Sequence, residues 1–155
     1  MKAIMAMAKN RAIGNKGQLP WEGKHKEDFA WFKEFTINKT IVVGKNTYET
    51  LPPLKNRTIW VLSKTIKESA GALIEPNSST MYHYTSNMDI IPQDAIIAGG
   101  KSIYELFMPH ITEFYVTHID FEYDGDVYMS EFEHLFSSQK VVKTFDFGKV
   151  ICYNK

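Results

Sequence analysis

The sequence predicts an α/β domain with a mostly parallel central sheet covered on both faces. Three features predict it. Short apolar runs alternate with segments of helical periodicity. Runs such as 4–8 and 95–98 are apolar throughout, as strands buried on both faces are. Several runs end at glycine and pass directly into a helical pattern, the joint of a strand–helix–strand unit. The 155 residues suit a single domain spanning 1–155, long enough to bury about two thirds of the unfolded surface.

Residues 4–8 read as the first buried strand. Residues 10–24, rich in Gly, Asn and Lys, read as a long loop, and loops of that length in compact domains are usually functional. Residues 25–36 read as a helix, because Trp31, Phe32 and Phe35 recur at helical spacing. Residues 40–43 form a strand that passes through Gly44 into a short helix ending at Leu51, where Pro52-Pro53 breaks it. Residues 58–62 are the next strand, 73–74 and 81–84 weaker ones, and 95–98 a buried one ending at Gly99-Gly100. A helix over 101–108 stops at Pro109, and 114–119 is a strand. Residues 140–146 and 149–153 read as a terminal antiparallel hairpin turning at Gly148.

Composition excludes several classes of function. A formal net charge of +0 gives no global field towards nucleic acid or a membrane, so neither is expected as a partner. Cys152 is the one cysteine, which excludes an internal disulfide and a multi-cysteine metal site. The apolar start, residues 1–8, is too short before Lys9 and Arg11 for a signal peptide or a membrane span, and a cytoplasmic protein is expected. The five histidines lack metal-ligand spacing, and His110 and His118 read as structural. No serine sits in a nucleophile elbow, so nucleophilic and metal-dependent hydrolysis are disfavoured and no metal is expected.

One residue stands out chemically. Asp28 shares a helix face with Trp31, Phe32 and Phe35 at the i, i+3, i+4, i+7 spacing. A helix that turns those aromatics to the core carries the carboxylate to its edge or into it, where an acid is paired, protonated or used. The alternative is an exposed first-turn Asp that complements the helix dipole. Three strand ends could meet a ligand beyond the sheet's carboxyl edge: 43–47, 62–64 and 98–102, with glycines for close backbone approach and Lys45, Lys64 and Lys101 as cations. Each alone is an ordinary tight turn; three together point to a dinucleotide or another polyphosphate. No G-x-G-x-x-G is present.

Taken together, the segments Arg11-Ala12-Ile13-Gly14, Leu19-Pro20-Trp21, Asp28-Phe29-Ala30-Trp31-Phe32-Lys33, Val43-Gly44-Lys45-Asn46-Thr47, Asn56-Arg57, Ala98-Gly99-Gly100-Lys101-Ser102-Ile103-Tyr104, Tyr115-Val116-Thr117-His118 and Gly125-Asp126 give the chain a resemblance to the dihydrofolate reductase family. The resemblance runs nearly end to end. It implies a central, mostly parallel eight-stranded sheet with a C-terminal antiparallel hairpin and about four flanking helices. It implies hydride transfer from NADPH to carbon 6 of 7,8-dihydrofolate with a proton added at N5, in support of one-carbon metabolism. Antifolates such as methotrexate or trimethoprim are the implied inhibitors and a monomer the implied state.

The resemblance also implies residue roles. Asp28 matches the acid that faces the pterin, supported by Thr117. Tyr104 matches the residue beside the nicotinamide, and Leu19 and Trp21 match lid residues of the catalytic group. Ile4, Met5, Ala6, Phe29, Phe32, Thr50, Leu51, Leu54 and Ala98 match the substrate walls, and Arg57 the grip on the glutamate α-carboxylate. For the cofactor it implies Ala6, Ile13, Gly14, Asn15, Gly17, Gln18 and Leu19 along the lid, then Gly44, Lys45, Asn46 and Thr47. Leu62, Ser63 and Lys64 follow, with Gly99, Gly100, Lys101, Ser102, Ile103 and Tyr104, the Gly99–Gly100 bond being cis in the family.

Three departures matter. Residues 22–27 form a longer connection than in many bacterial members, and Glu27 is a second candidate acid, although the register of 29–33 favours Asp28. Lys45 and Ser102 stand where arginine is frequent, so a 2′-phosphate would be met by lysines without arginine's fork. Met129-Ser130 replaces the usual Phe-Pro after Gly125-Asp126. Two rival readings are a reductase of the same fold acting on another heterocycle, such as the pyrimidine of riboflavin synthesis, and a ligand-binding protein without turnover. Arg57 and the Asp28–Thr117 pair favour folate over the first, and NADPH oxidation separates the second.

Overall fold

A computed structural model describes residues 1–64, 73–74 and 79–155. In chain order the strands and α-helices are β1 (Lys2–Met7), β2 (Ala12–Gly14), α1 (Lys26–Thr36), β3 (Thr40–Gly44), α2 (Lys45–Thr50), β4 (Thr58–Leu62), β5 (Leu73–Ile74), β6 (Met81–Thr85), β7 (Ile96–Ile97), α3 (Lys101–Phe107), β8 (Glu113–Ile119), β9 (Val127–Tyr128), β10 (Ser138–Phe145) and β11 (Gly148–Asn154). Nine strands make one sheet in the order β10-β11-β8-β1-β7-β3-β4-β6-β5, and β2 with β9 makes a separate ribbon. From β8 to β6 the neighbours are parallel. The β10–β11 hairpin joins β8 antiparallel at one edge, and the two-residue β5 joins β6 antiparallel at the other. The class is the expected mixed α/β sheet, with β5 as a short addition at its edge.

The apolar strands separate two layers. Along β1, Ala3, Met5 and Met7 join a core with Ile97, Phe107, Phe114, Val116 and Phe132, while Ile4 joins Ile41, Val43, Ile59 and Val61 on the other face. That alternation is the two-residue period of a strand covered on both sides. The second core receives Phe29, Trp31, Phe32 and Phe35 from α1, so the helix lays its aromatic stripe on the sheet. A third, smaller core of Ala8, Ala12, Trp21, Ile119 and Phe147 closes the end of β1 and β8.

Several boundaries differ from the sequence expectation for physical reasons. The 10–24 loop contains β2, which pairs with β9 more than a hundred residues away in the chain, a contact with no local signature. β7 is shorter than 95–98 because the Ala95 N–H turns back to the Pro92 carbonyl. Gly148 opens β11 instead of making the turn: a Cβ there would lie 1.9 Å from the His118 carbonyl oxygen of β8, so close approach of the strands requires glycine. No helix among the described residues is long and apolar enough to cross a membrane.

Candidate active site

The parallel strands β1, β3, β4 and β7 end on the same side of the sheet, and a cleft of about 1900 Å³ opens there. Its walls come from β1 (Ile4, Met5, Ala6), the lid loop (Ile13, Gly14, Gly17, Gln18, Leu19, Trp21), α1 (Asp28, Phe29, Phe32) and the joint from β3 into α2 (Gly44, Lys45, Asn46, Thr47, Thr50, Leu51). The end of β4 supplies Leu62, Ser63 and Lys64, and the joint into α3 supplies Ala98, Gly99, Gly100, Lys101, Ser102, Ile103 and Tyr104. Ligand sites beyond strand carboxyl ends are the rule for open α/β sheets.

Asp28 sits on the first turn of α1 and is 8% exposed, more buried than the aromatic residues of its own stripe. Its Oδ1 accepts a hydrogen bond of 2.7 Å from the Thr117 hydroxyl of β8. Burial pushes its carboxyl up to about 6, and the Thr117 hydrogen bond pulls the other way. Glu27 is exposed on the outer side of the same turn, so the one acid of the pair that meets the cleft is Asp28. Tyr104 is buried, 4% exposed at the cleft wall; its hydroxyl donates to the Ile4 carbonyl at 2.6 Å. Burial, and then the Asp28 charge, push its phenol up, so it stays protonated across the working pH range.

The lid begins as a tight hairpin. Asn15 and Gln18 exchange backbone hydrogen bonds at 2.7 and 3.0 Å, around Lys16 and Gly17 at φ 51 and 80. Two positive φ angles in a two-residue turn suit the right-handed twist of a hairpin. The lid is moored by Asp126, whose Oδ2 accepts the Lys16 N–H at 3.0 Å and whose N–H donates to the Gly14 carbonyl at 2.9 Å. At the Met129-Ser130 departure, Arg11 donates to both of those carbonyls and to the Glu133 carboxylate.

A dinucleotide fits the residues present. The Gly99–Gly100 peptide is cis, and the Gly44 N–H donates to the Gly99 carbonyl at 2.8 Å, which locks the two glycine joints together. A Cβ at Gly100 would lie 3.2 Å from the Thr47 hydroxyl and one at Gly44 3.1 Å from Ile103, so bare backbone lines this part of the cleft. Lys45 and Lys64 stand exposed at the cleft, Ser63 also lines it, and Lys101 pairs weakly with Glu105 at 3.9 Å. No group of three or more His, Cys, Asp and Glu among the described residues is placed to hold a metal ion.

Four of the expected residues lie off the wall. Thr117 acts from behind, through Asp28. Leu54 is buried in the core beneath α1, and Asn15 spends its backbone on the lid turn. Arg57 is neither at the surface nor on the wall. It is 5% exposed, and its guanidinium donates to the Thr36 hydroxyl at 3.2 Å, to the Lys33 carbonyl at 2.5 Å and to the Lys55 carbonyl. The structure also brings His25 with its neighbours at 22–24 and 26, and Lys33, Pro52 and Ser86, to the wall, where no local signal placed them.

Fold and cleft together define a class: an α/β domain with a flat apolar slot, one buried carboxylate in it and an adjoining glycine-lined channel edged by lysines. Residues 1–146 match the family model described as dihydrofolate reductase. The dihydrofolate reductase of Buchnera aphidicola subsp. Acyrthosiphon pisum (strain APS) is 33% identical over 133 residues, covering 84% of this chain and 78% of that one. Dihydrofolate reductase type 1 of Escherichia coli is 30% identical over 156 residues, covering 99% of this chain and 94% of that one. A solved structure of the Enterococcus faecalis dihydrofolate reductase, complexed with NADP(H) and RAB-propyl, has the same fold, with a TM-score of 0.75 at 23% identity over 99% of this chain and 94% of that one. The chain belongs to the dihydrofolate reductase family. It is an NADPH-dependent enzyme that reduces dihydrofolate to tetrahydrofolate.

Proposed function

We propose that Asp28 is the group that polarises the substrate in this reaction, and that the rest of the cleft orients and encloses it. The single observation that carries this reading is the Asp28–Thr117 hydrogen bond in an apolar slot, Asp28 being the one buried carboxylate among the described residues. NADPH, when bound, supplies the hydride. Asp28, titrating near 6, is mostly ionised at neutral pH and accepts hydrogen bonds from the amidine-like edge of the pterin, which favours a proton at N5. Thr117 fixes the carboxylate's orientation. Tyr104, held to the Ile4 carbonyl, packs the boundary between substrate and nicotinamide. Phe29, Phe32, Leu51 and Ile4 hold the heterocycle flat, while Leu19 and Trp21 of the lid exclude bulk water.

Lys45, Lys64 and Ser63 meet the 2′-phosphate, and the Gly44, Gly99 and Gly100 backbone meets the pyrophosphate. Arg57 is assigned the glutamate α-carboxylate through the guanidinium N–H groups left over by its bonds to Thr36, Lys33 and Lys55. The protein is a cytoplasmic, single-domain monomer whose product serves one-carbon transfer in thymidylate and purine synthesis, and antifolates such as methotrexate or trimethoprim occupy the same slot. Loss of NADPH absorbance with 7,8-dihydrofolate, compared between wild type and Asp28→Asn, tests the central assignment. A fall of ~10²- to 10⁴-fold at neutral pH is expected; a variant within twofold of wild type would remove Asp28 from the mechanism.

A further inference from the structure

We propose that His25 is a positioning residue, which through its contacts with Tyr123 and Phe147 fixes the first turn of α1 and so the seat of Asp28. The inference rests on the reading of Asp28 given above.

Of the six residues that link buried Trp21 to buried Asp28, five are exposed; His25 is the one that reaches into the protein. It occupies the N-cap position of α1 yet makes no side-chain cap, because its backbone is left-handed, with φ 54 and ψ 45. That conformation is uncommon for a residue with a side chain and persists where surrounding contacts impose it. Three aromatic side chains supply those contacts. His25 Nε2 lies 2.5 Å from the Tyr123 hydroxyl. The ring centroid is 4.5 Å from that of Phe147 and 6.0 Å from that of Phe121, nearly parallel to the latter. The His25 carbonyl accepts the Asp28 N–H at 3.0 Å, so the backbone of the two residues forms one rigid turn.

The clamp is anchored from elsewhere. Asn10 holds the Tyr123 backbone at both its N–H and its carbonyl. The Phe147 carbonyl accepts the Asp120 N–H at 2.8 Å. The Tyr123 ring also lies 5.9 Å from that of Trp21, a cleft residue at the base of the lid. The clamp therefore joins the lid base, the loop after β8 and the β10–β11 turn to the helix that carries the acid. The charged neighbours of His25 are Lys24, whose Nζ stands 5.8 Å over the Tyr123 ring, and Glu27. Burial and Lys24 favour the neutral imidazole and Glu27 opposes them; Nε2 and the Tyr123 hydroxyl share one hydrogen bond, and the imidazole tautomer sets which of the two donates. Asp28 faces Thr117 and Tyr104.

The test uses the full-length enzyme with Tyr123→Phe, His25→Ala and His25→Gln. Three quantities are read: the single-turnover hydride-transfer rate, the carboxyl titration of Asp28 by carbon NMR, and NADPH affinity. Tyr123→Phe keeps the ring packing and removes the hydrogen bond. It and His25→Ala should slow hydride transfer roughly tenfold or more, since small misplacements of a reacting group are costly. NADPH affinity should stay within about twofold. The Asp28 titration should move down towards the ordinary carboxylate range as water reaches it. His25→Gln, whose amide can either accept from or donate to the Tyr123 hydroxyl, should restore both. If the melting temperature falls while hydride transfer and the Asp28 titration stay at wild-type values, His25 is a packing residue and the inference is overturned. If wild type transfers no hydride, the folate reaction fails, and the titration still decides this inference. If His25→Ala does not fold, Tyr123→Phe decides it.

Discussion

Thr117 and Asp28, 89 residues apart in the chain, meet through a 2.7 Å hydrogen bond buried between β8 and α1. The hydroxyl holds the carboxyl below where burial alone would place it. Thr117→Val should therefore raise the Asp28 titration above about 6 and leave a buried carboxylate oxygen unpaired, at a cost on the order of 1–3 kcal/mol. The infrared carbonyl band of the protonated acid, followed against pH, reads the shift. A titration unchanged in the variant would mean that the hydroxyl does not bind the carboxylate in solution.

Asp28→Asn should stabilise the enzyme at neutral pH while disabling it. The carboxyl titrates near 3.8 when unfolded and near 6 when folded, so the folded state binds the proton more tightly. Its contribution to stability is fully present below pH 3.8 and is lost as pH rises through about 6. The difference corresponds to roughly 3 kcal/mol at most between the two limits. The variant should therefore melt several degrees above wild type at pH 8, with the gap closing by pH 4. Thermal melts of both proteins across that range check it, and a gap that widens on acidification would refute the sign.

Lys45 and Lys64 stand on different strand ends, exposed at the cleft. If they neutralise a 2′-phosphate, Lys45→Ala combined with Lys64→Ala should raise the KM for NADPH on the order of tenfold to a hundredfold, the loss of one or two charge-assisted contacts. The KM for NADH, which lacks that phosphate, should change little. Steady-state kinetics with both cofactors measure it, and equal increases would place the phosphate elsewhere.

Gly125 underlies the lid. A Cβ there would lie 2.8 Å from the Gly14 carbonyl oxygen and 3.0 Å from the Ala12 Cβ. Gly125→Ala should push β2 away from the segment leading into β9, at about 1–3 kcal/mol of local strain. Hydrogen exchange should quicken at residues 12–18 and stay protected in β1 and β8, with turnover altered more than overall stability. Uniform loss of protection would show that the contact supports the whole fold and not the lid alone.

Much of this was legible in the residues alone. The 4–8, 40–43 and 58–62 runs became β1, β3 and β4 within two residues of their expected ends, because a strand buried on both faces is written as a continuous apolar run. The helix of 25–36 and its odd acid were equally visible, because the 3.6-residue period places Asp28 beside Trp31, Phe32 and Phe35. The glycine joints were visible as strand–glycine–helix patterns. What local pattern could not settle was Asp28 against Glu27, whether Arg57 is surface or buried, or what His25 does.

The sequence by itself determined the order and type of the main-sheet strands and of the three α-helices, and that an acid shares a helix face with Trp31, Phe32 and Phe35, because those follow from side-chain periodicity within a few residues. The tertiary structure decided that Asp28 is buried against Thr117, that Arg57 is seated in backbone carbonyls at the end of α1, that β2 pairs with β9, and that His25 meets Tyr123. The physical reason is the same in each case: a polar group's burial, orientation and pKa are set by partners brought to it by folding, and those partners lie tens to more than a hundred residues away.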